Sequence, residues 1–271
     1  MKNLHQFHAN KQKVMLVDGD LLAYKITSSL EEPIDWGNDV WTLHSDLQKG
    51  KQLWEQSINH YLKYTNSKNA IICFSDKNNF RKQIDKVYKS YRKKIRKPVS
   101  YSALRDWIKN NYEWTSFENL EGDDALGLLA TGYHKTNNVI LSGDKDMRTI
   151  PTFHCSLIDD SIEYVDEDKA NYNFATQVLV GDQADGYSGC RGVGAVKASR
   201  VLHNKKDIEE LWDAIIKEYE RNDFTYEDAY HQARLARILR KGEYDFTTNK
   251  PLLWDYKYEY YRNSRQDKKV G

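Results

Sequence analysis

Cysteine is scarce in this chain: Cys73, Cys155 and Cys190 are the three in 271 residues. Their number is odd and they lack the paired spacing of a zinc site, which fits a reducing cytosol where a free thiol acts as a small apolar group. No apolar run approaches membrane-spanning length. The first residues, MKNLHQFHANKQK, are polar, so neither a signal peptide nor an anchor is expected and the expected location is cytoplasmic. Internal repeats and low-complexity linkers are lacking as well. So is an excess of either charge: Lys and Arg number 41 against 40 Asp and Glu, a net +1. What is present is an ordinary apolar fraction of 39%, enough for one large domain with a satellite or two modest ones.

The even balance hides an uneven layout. Residues 77–97 carry ten Lys or Arg against the single acid Asp85, whereas the acids gather elsewhere. Three short apolar runs close on aspartate: KVMLVD at Asp18, AIICFSD at Asp76, and NVILSGDKD at Asp144 and Asp146. Runs of this length, rich in Val and Ile, read as buried strands of a parallel sheet. Ligands of such sheets bind beyond the carboxyl ends of the strands, so these carboxylates are expected on one edge. Glu121, Asp123 and Asp124 open an apolar helix, and Asp182 and Asp185 stand in GDQAD. Nine carboxylates aimed at one place raise each other's pKa, and bound cations relieve the repulsion.

In chain order, strands are predicted over 13–18, 70–75 and 138–142, with a hairpin over 153–165 turning at Asp159-Asp160. Helices are predicted over 51–64, 121–131, 173–181 and 195–203. Residues 77–113 read as two helices interrupted by Pro98. Residues 204–271 read as helical, then irregular and rich in Tyr and Trp. The fold class is α/β.

No His or Cys accompanies the acids, and an all-oxygen ligand set selects Mg²⁺, or Mn²⁺, over zinc and copper. Two such ions ~3.5–4 Å apart form a clamp for phosphodiester cleavage. Turn and cap duty explains most single aspartates at strand ends, but five clusters placed alike argue for a site. The second informative segment is GDQADGYSGCRGVGAVKASRVL. Its glycines Gly189, Gly192 and Gly194, followed by Ala195 and Lys197, suggest a helix-hairpin-helix whose backbone N–H groups approach a phosphate. A Walker A loop is excluded because Ala195 stands where that motif needs Lys. A dinucleotide fingerprint is excluded because no strand precedes the glycines.

Over residues 14–203 these segments together resemble the 5′ nuclease superfamily of flap endonucleases and 5′→3′ exonucleases. VMLVDGD resembles its first acidic strand, FSDKNNFRKQIDKVYKSYRKK its second motif, LEGDDALGLLA its Glu-x-Asp-Asp helix and SGDKDM its Asp-x-Asp strand end. GDQADGYSGCRGVGAVKA resembles its helix-three-turn-helix, which grips duplex DNA and often holds a potassium ion. Two departures stand out: Asp20 replaces a small residue, and Asp185-Gly-Tyr-Ser-Gly189 lacks a proline. HQARLARILRKGEYDFTTNKPLLW is similar to the tails of podovirus-type phage exonucleases, and a phage-encoded chain would work in the host cytoplasm.

The resemblance implies a PIN-like, mostly parallel central sheet flanked by helices, in a catalytic domain over 13–170. A helical arch over about 77–118 and a helix-three-turn-helix subdomain over 171–260 complete it. It implies a structure-directed nuclease that uses two Mg²⁺ or Mn²⁺ ions to cut DNA, leaving 5′-phosphate and 3′-hydroxyl ends. Asp18, Asp76, Glu121 and Asp123 would hold the first ion, and Asp144, Asp146, Asp182 and Asp185 the second, with Asp124 near both. Arg81, Lys89 and Arg92 would steer the 5′ strand and neutralise the scissile phosphate. Tyr88, Lys93, Lys94, Gly192, Gly194 and Lys197 would contact DNA. The implied substrates are 5′ ends, flaps and duplex junctions, with RNA of RNA–DNA hybrids as a second class; the implied state is a monomer, away from membranes.

Two other classes compete. Asp18-Gly-Asp20 matches the hallmark of haloacid-dehalogenase-type phosphatases, but Leu22 stands where they carry Thr or Val, and the basic segment stays unexplained. A catalytically inert DNA-binding module should have lost some acids, and none is missing.

Overall fold

Val14–Asp18 (β1) is a run of β-branched and long apolar residues with every position buried, as a strand covered on both faces must be. The computed structural model that shows this describes residues 13–132 and 137–266, without the side chains of 93, 94 and 263–266. After β1 come helix α1 (Gly19–Ser29), a hairpin of β2 (Glu31–Asp35) and β3 (Trp41–Ser45), α2 (Leu47–Tyr64) and β4 (Asn69–Cys73). Then follow α3 (Arg81–Ile84), a 3-10 turn at Ser90–Lys94, α4 (Tyr101–Asn111), β5 (Trp114–Thr115), α5 (Gly122–Thr131) and β6 (Asn138–Ser142). β7 (Thr152–Ser156), β8 (Ile162–Val165), α6 (Glu167–Val180), α7 (Ala195–Val201), α8 (Ile208–Arg221) and α9 (Tyr226–Ala236) complete the main elements.

The central sheet has the order β5-β4-β1-β6-β7-β8. Its first five strands run parallel and β8 closes one edge antiparallel to β7. The register sets Asp18 opposite Cys73 and Val17 opposite Leu141, so the strand ends that lead to the acids lie level on one edge. Trp54, Leu104, Phe74 and Leu141 pack in the main core of this unit.

The chain divides into two units. Of the described residues, one comprises those up to Asn79, Tyr91–Asp166 and Ile238–Pro251; the other comprises Phe80–Ser90, Glu167–Arg237 and those from Leu252 on. The domain boundary expected at 170/171 thus falls at 166/167, and two segments run across the expected division. The second unit has its own core, with Phe174, Trp212, Tyr219 and Tyr230 among its buried side chains.

Two expectations need correction. The helix pair read over 77–113 is a four-residue helix, a 3-10 turn and α4. Asp85 leaves α3 in extended conformation and Lys89 is left-handed at φ +49°, while the like charges that follow repel at helical spacing. The β2–β3 hairpin and α1 were not foreseen. Among the described residues no helix is long and apolar enough to cross a membrane.

Candidate active site

Asp18 ends β1 and caps α1: its Oδ1 accepts the Leu21 N–H at 3.0 Å, and its Oδ2 accepts from the Ser142 hydroxyl at 2.7 Å. The Ser142 oxygen in turn accepts the Asp144 N–H at 3.1 Å, tying the ends of β1 and β6 together. Burial, reinforced by Asp20 and Asp144, pushes the Asp18 carboxyl up to about 6 despite the two hydrogen bonds that lower it. The close turn out of β1 needs Gly19, because a Cβ there would lie 2.5 Å from Ile72 Cγ2 and 2.9 Å from the Cys73 carbonyl oxygen.

The neighbouring strand end carries the next acids. Asp76 Oδ2 accepts the Asn119 N–H at 2.9 Å, and the Gly122 N–H donates to Ser75 Oγ at 3.0 Å, docking the start of α5 against the end of β4. Glu121 is the N-cap of α5 and Asp123 lies in its first turn, where the helix dipole favours acids. Burial raises the Cys73 thiol well above the usual range, and Asp18, Asp123 and Asp20 raise it further, which puts all three acids within electrostatic reach of one buried atom. Asp144 Oδ1 accepts the Asp146 N–H at 2.8 Å and opens the 3-10 turn that carries Asp146.

Asp124 is different in kind. It is fully buried, and its oxygens accept the Leu239 N–H at 3.1 Å and the Glu121 N–H at 3.2 Å. It fastens the segment after Arg237 to α5. Asp20 is also committed: Ser75 N–H at 2.6 Å, Tyr101 O–H at 2.8 Å and Arg105 Nε at 3.4 Å surround it. A phosphatase would need that acid to shuttle protons, so the phosphatase reading loses its second aspartate.

In the second unit, Asp182 Oδ1 accepts the N–H groups of Ala184 at 2.6 Å and Asp185 at 3.2 Å, shaping its loop. Asp185 Oδ2 pairs with Lys89 Nζ at 3.2 Å and accepts the Tyr88 O–H at 3.1 Å. The Lys89 ammonium also lies 5.1 Å from the centre of the Tyr88 ring. Arg81, expected among the phosphate-steering residues, is buried at 2% exposure. Its guanidinium donates to the carbonyls of Leu235, at 2.9 Å, and Arg237, satisfying the last turn of α9. These bonds hold the side chain inside the second unit rather than at its surface. Lys197 binds Glu218 at 2.7 Å and Asn222 Oδ1 at 3.3 Å. Gly192 is left-handed at φ +77°, whereas Gly194 caps α7 in extended conformation with no atom within 4 Å of a would-be Cβ. Arg92 is exposed and its Nε donates to the Tyr91 hydroxyl at 3.2 Å. The side chains of Lys93 and Lys94 lie outside the described residues.

Seven of the nine carboxylates therefore belong to the first unit and two, Asp182 and Asp185, to the second. Among the described residues no three acidic, His or Cys side chains close around a single point as a finished metal cage. An all-carboxylate edge still suits a hard cation that keeps most of its waters and takes only one or two direct carboxylates. Arg105 and Lys109 were missed by sequence reasoning. Arg105 pairs with Asp20. Burial works against the charge of Lys109, while Asp20 and Asp76 lie close enough to favour it. Their i, i+4 spacing in SALRDWIKNNY was the available signal.

Residues 13–176 match the family described as "5′-3′ exonuclease, N-terminal resolvase-like domain". The exonuclease of Escherichia phage T7 is 30% identical, over 89% of this chain and 93% of that protein. The exodeoxyribonuclease of Enterobacteria phage T3 is 28% identical, over 89% and 92%. Among solved structures, the T5 5′-exonuclease with divalent metal ions (zinc) bound superposes with a TM-score of 0.63 at 14% identity, over 82% of this chain and 88% of that one. The catalytic core of Rad2 with a DNA substrate gives 0.52 at 12% identity, over 93% and 84%. At such identities these structures establish the α/β fold.

Proposed function

The chain belongs to the 5′-3′ exonuclease family, and on that premise we propose that it hydrolyses DNA phosphodiesters from 5′ ends and at 5′ flaps. The observation that carries this reading is the acidic sheet edge: Asp18 is buried at the end of β1 and held at about 6 chiefly by that burial, with Asp20 and Asp144 beside it adding to the effect. A carboxylate so disfavoured as an anion invites a divalent cation. Oxygen-only donors favour Mg²⁺, and Asp18, Asp76, Glu121 and Asp123 would hold it, with Asp144 and Asp146 serving a second ion. Bound there, such ions supply a water of lowered pKa and charge stabilisation for the departing 3′ oxygen.

The chain's own groups do the positioning. Ser142 holds the Asp18 carboxylate and the Asp144 backbone in fixed relation. Arg105 and Tyr101 restrain Asp20. Lys89 and Arg92 would meet the phosphates of the 5′ strand, with Lys89 now held against Asp185. The phage relatives support DNA as substrate and a host cytoplasm as location.

The test is a side-by-side digestion of a 5′-labelled blunt duplex and a 5′-flap duplex in Mg²⁺. Products bearing 5′-phosphate and 3′-hydroxyl ends from either substrate, and none with EDTA, are expected. Cleavage that persists in EDTA would overturn the reading.

A further inference from the structure

A groove of about 350 Å³ opens in the second unit between the end of α7 and one face of α8. Four cations line it: Arg200, Lys205, Lys217 and Arg221. Ala214, Lys217 and Arg221 recur at three- and four-residue spacing, so they form one stripe of α8. Arg200, Lys205 and Lys217 make no ion pair among the described residues, and Arg221 reaches Glu218 only at 3.7 Å. Two acids share the groove, each already accepting a hydrogen bond: Glu210 from the Lys206 N–H at 2.9 Å, and Asp213 from the Tyr261 hydroxyl. Four cations against two hydrogen-bonded carboxylates on one concave surface leave it net positive, which makes a site for an anion.

We propose that this groove binds backbone phosphates of duplex DNA, as a second grip beyond the glycine loop; the identity of the ligand rests on the nuclease reading above. The geometry of α7 gives the spacing. The Gly192–Gly194 loop precedes Ala195, and the groove begins at Arg200 and Val201 near the other end of the helix. Seven residues at 1.5 Å each span about 10 Å, roughly three nucleotides along one strand of a duplex at 3.4 Å per step. The groove thus takes a different phosphate from the loop, and the pair would hold a stretch of duplex in a fixed direction. Lysine and arginine bonds to the backbone carry no base preference, so the grip positions DNA without selecting sequence.

The experiment compares wild type with Lys205→Gln/Lys217→Gln, binding a 20-base-pair duplex and a six-nucleotide single strand in Ca²⁺ across a salt series. For every phosphate that is no longer neutralised, the log–log salt slope for the duplex should flatten by about 0.9. With two cations removed, the double variant should flatten by close to twice that amount. The short single strand should bind as before, and circular dichroism should be unchanged. An unaltered duplex slope would overturn the proposal. Titration with orthophosphate separates the sources: saturable phosphate binding abolished in the variant, with the duplex slope unchanged, would make the groove a small-anion site instead. Mg²⁺ digestion by wild type is read in parallel. A wild type that binds duplex but never cleaves would sink the nuclease reading while leaving the groove measurement valid.

Discussion

Asp18 is disfavoured as an anion by its burial, and the sign of that effect on stability can be worked out. Its folded pKa of about 6 lies above the ordinary 3.8. Its stabilising contribution is therefore complete below the ordinary value and is lost as pH rises through about 6. Two units correspond to about 3 kcal/mol at most. In EDTA, Asp18→Asn should therefore be more stable than wild type at pH 7.5 and gain nothing at pH 4, as read by urea unfolding. Mg²⁺ at pH 7.5 should narrow the gap by stabilising wild type more than the variant. A gap that does not vary with pH would mean that burial at this position costs the protein nothing. Single residues also show the limit of legibility. Asp18, Asp76 and Asp144 could be read from their strand ends, but the burial of Arg81 could not. Its partners are carbonyls of Leu235 and Arg237, more than 150 positions away, and a charged residue in a basic run reads as surface.

Elements were legible where local chemistry and tertiary setting agree. β1, β4 and β6 are apolar runs with both faces covered, and α5 advertises its start with acids. The β2–β3 hairpin was hidden because EEPID lacks alternation and the short Trp41/Leu43 alternation of WTLHS covers no core, both strands being mostly exposed. α5 also has a demand that its sequence hints at only through Gly127. A Cβ there would lie 2.3 Å from the Leu239 carbonyl oxygen, beside the Leu239 N–H that Asp124 accepts. Gly127→Ala should cost about 1–3 kcal/mol by overpacking, visible as a lower urea midpoint with an unchanged slope; full stability would show that the return segment can shift. The glycine loop gives a cleaner functional test, because Gly194 has open space and ordinary backbone angles. Gly194→Val should leave the thermal midpoint within a degree or two yet block a phosphate. Hydrogen bonds to a charged group are worth about 1.5–3 kcal/mol, so duplex affinity should fall roughly ten- to a hundredfold. Equal losses on a short single strand would contradict this.

Over the whole molecule, the α/β class and the order of the acidic motifs could be read directly, since a parallel sheet collects its strand ends on one edge whatever the loops do. The division into units could not. Phe80–Ser90 joins the second unit and Ile238–Pro251 returns to the first, and such exchanges depend on contacts distant in sequence. The claim at the centre is that the first unit's carboxylates hold the ion that drives cleavage. Asp144→Asn/Asp146→Asn removes two of them from the exposed end of β6 while leaving the Ser142–Asp18 bond in place. Metal stabilisation of several kcal/mol corresponds to roughly a thousandfold in rate. The deciding measurement is the single-turnover cleavage rate of a 5′-labelled duplex against Mg²⁺ concentration, with DNA affinity in Ca²⁺ read alongside. A rate down by that order with affinity retained is expected; a double variant that cuts at the wild-type rate with the same Mg²⁺ dependence would contradict the account.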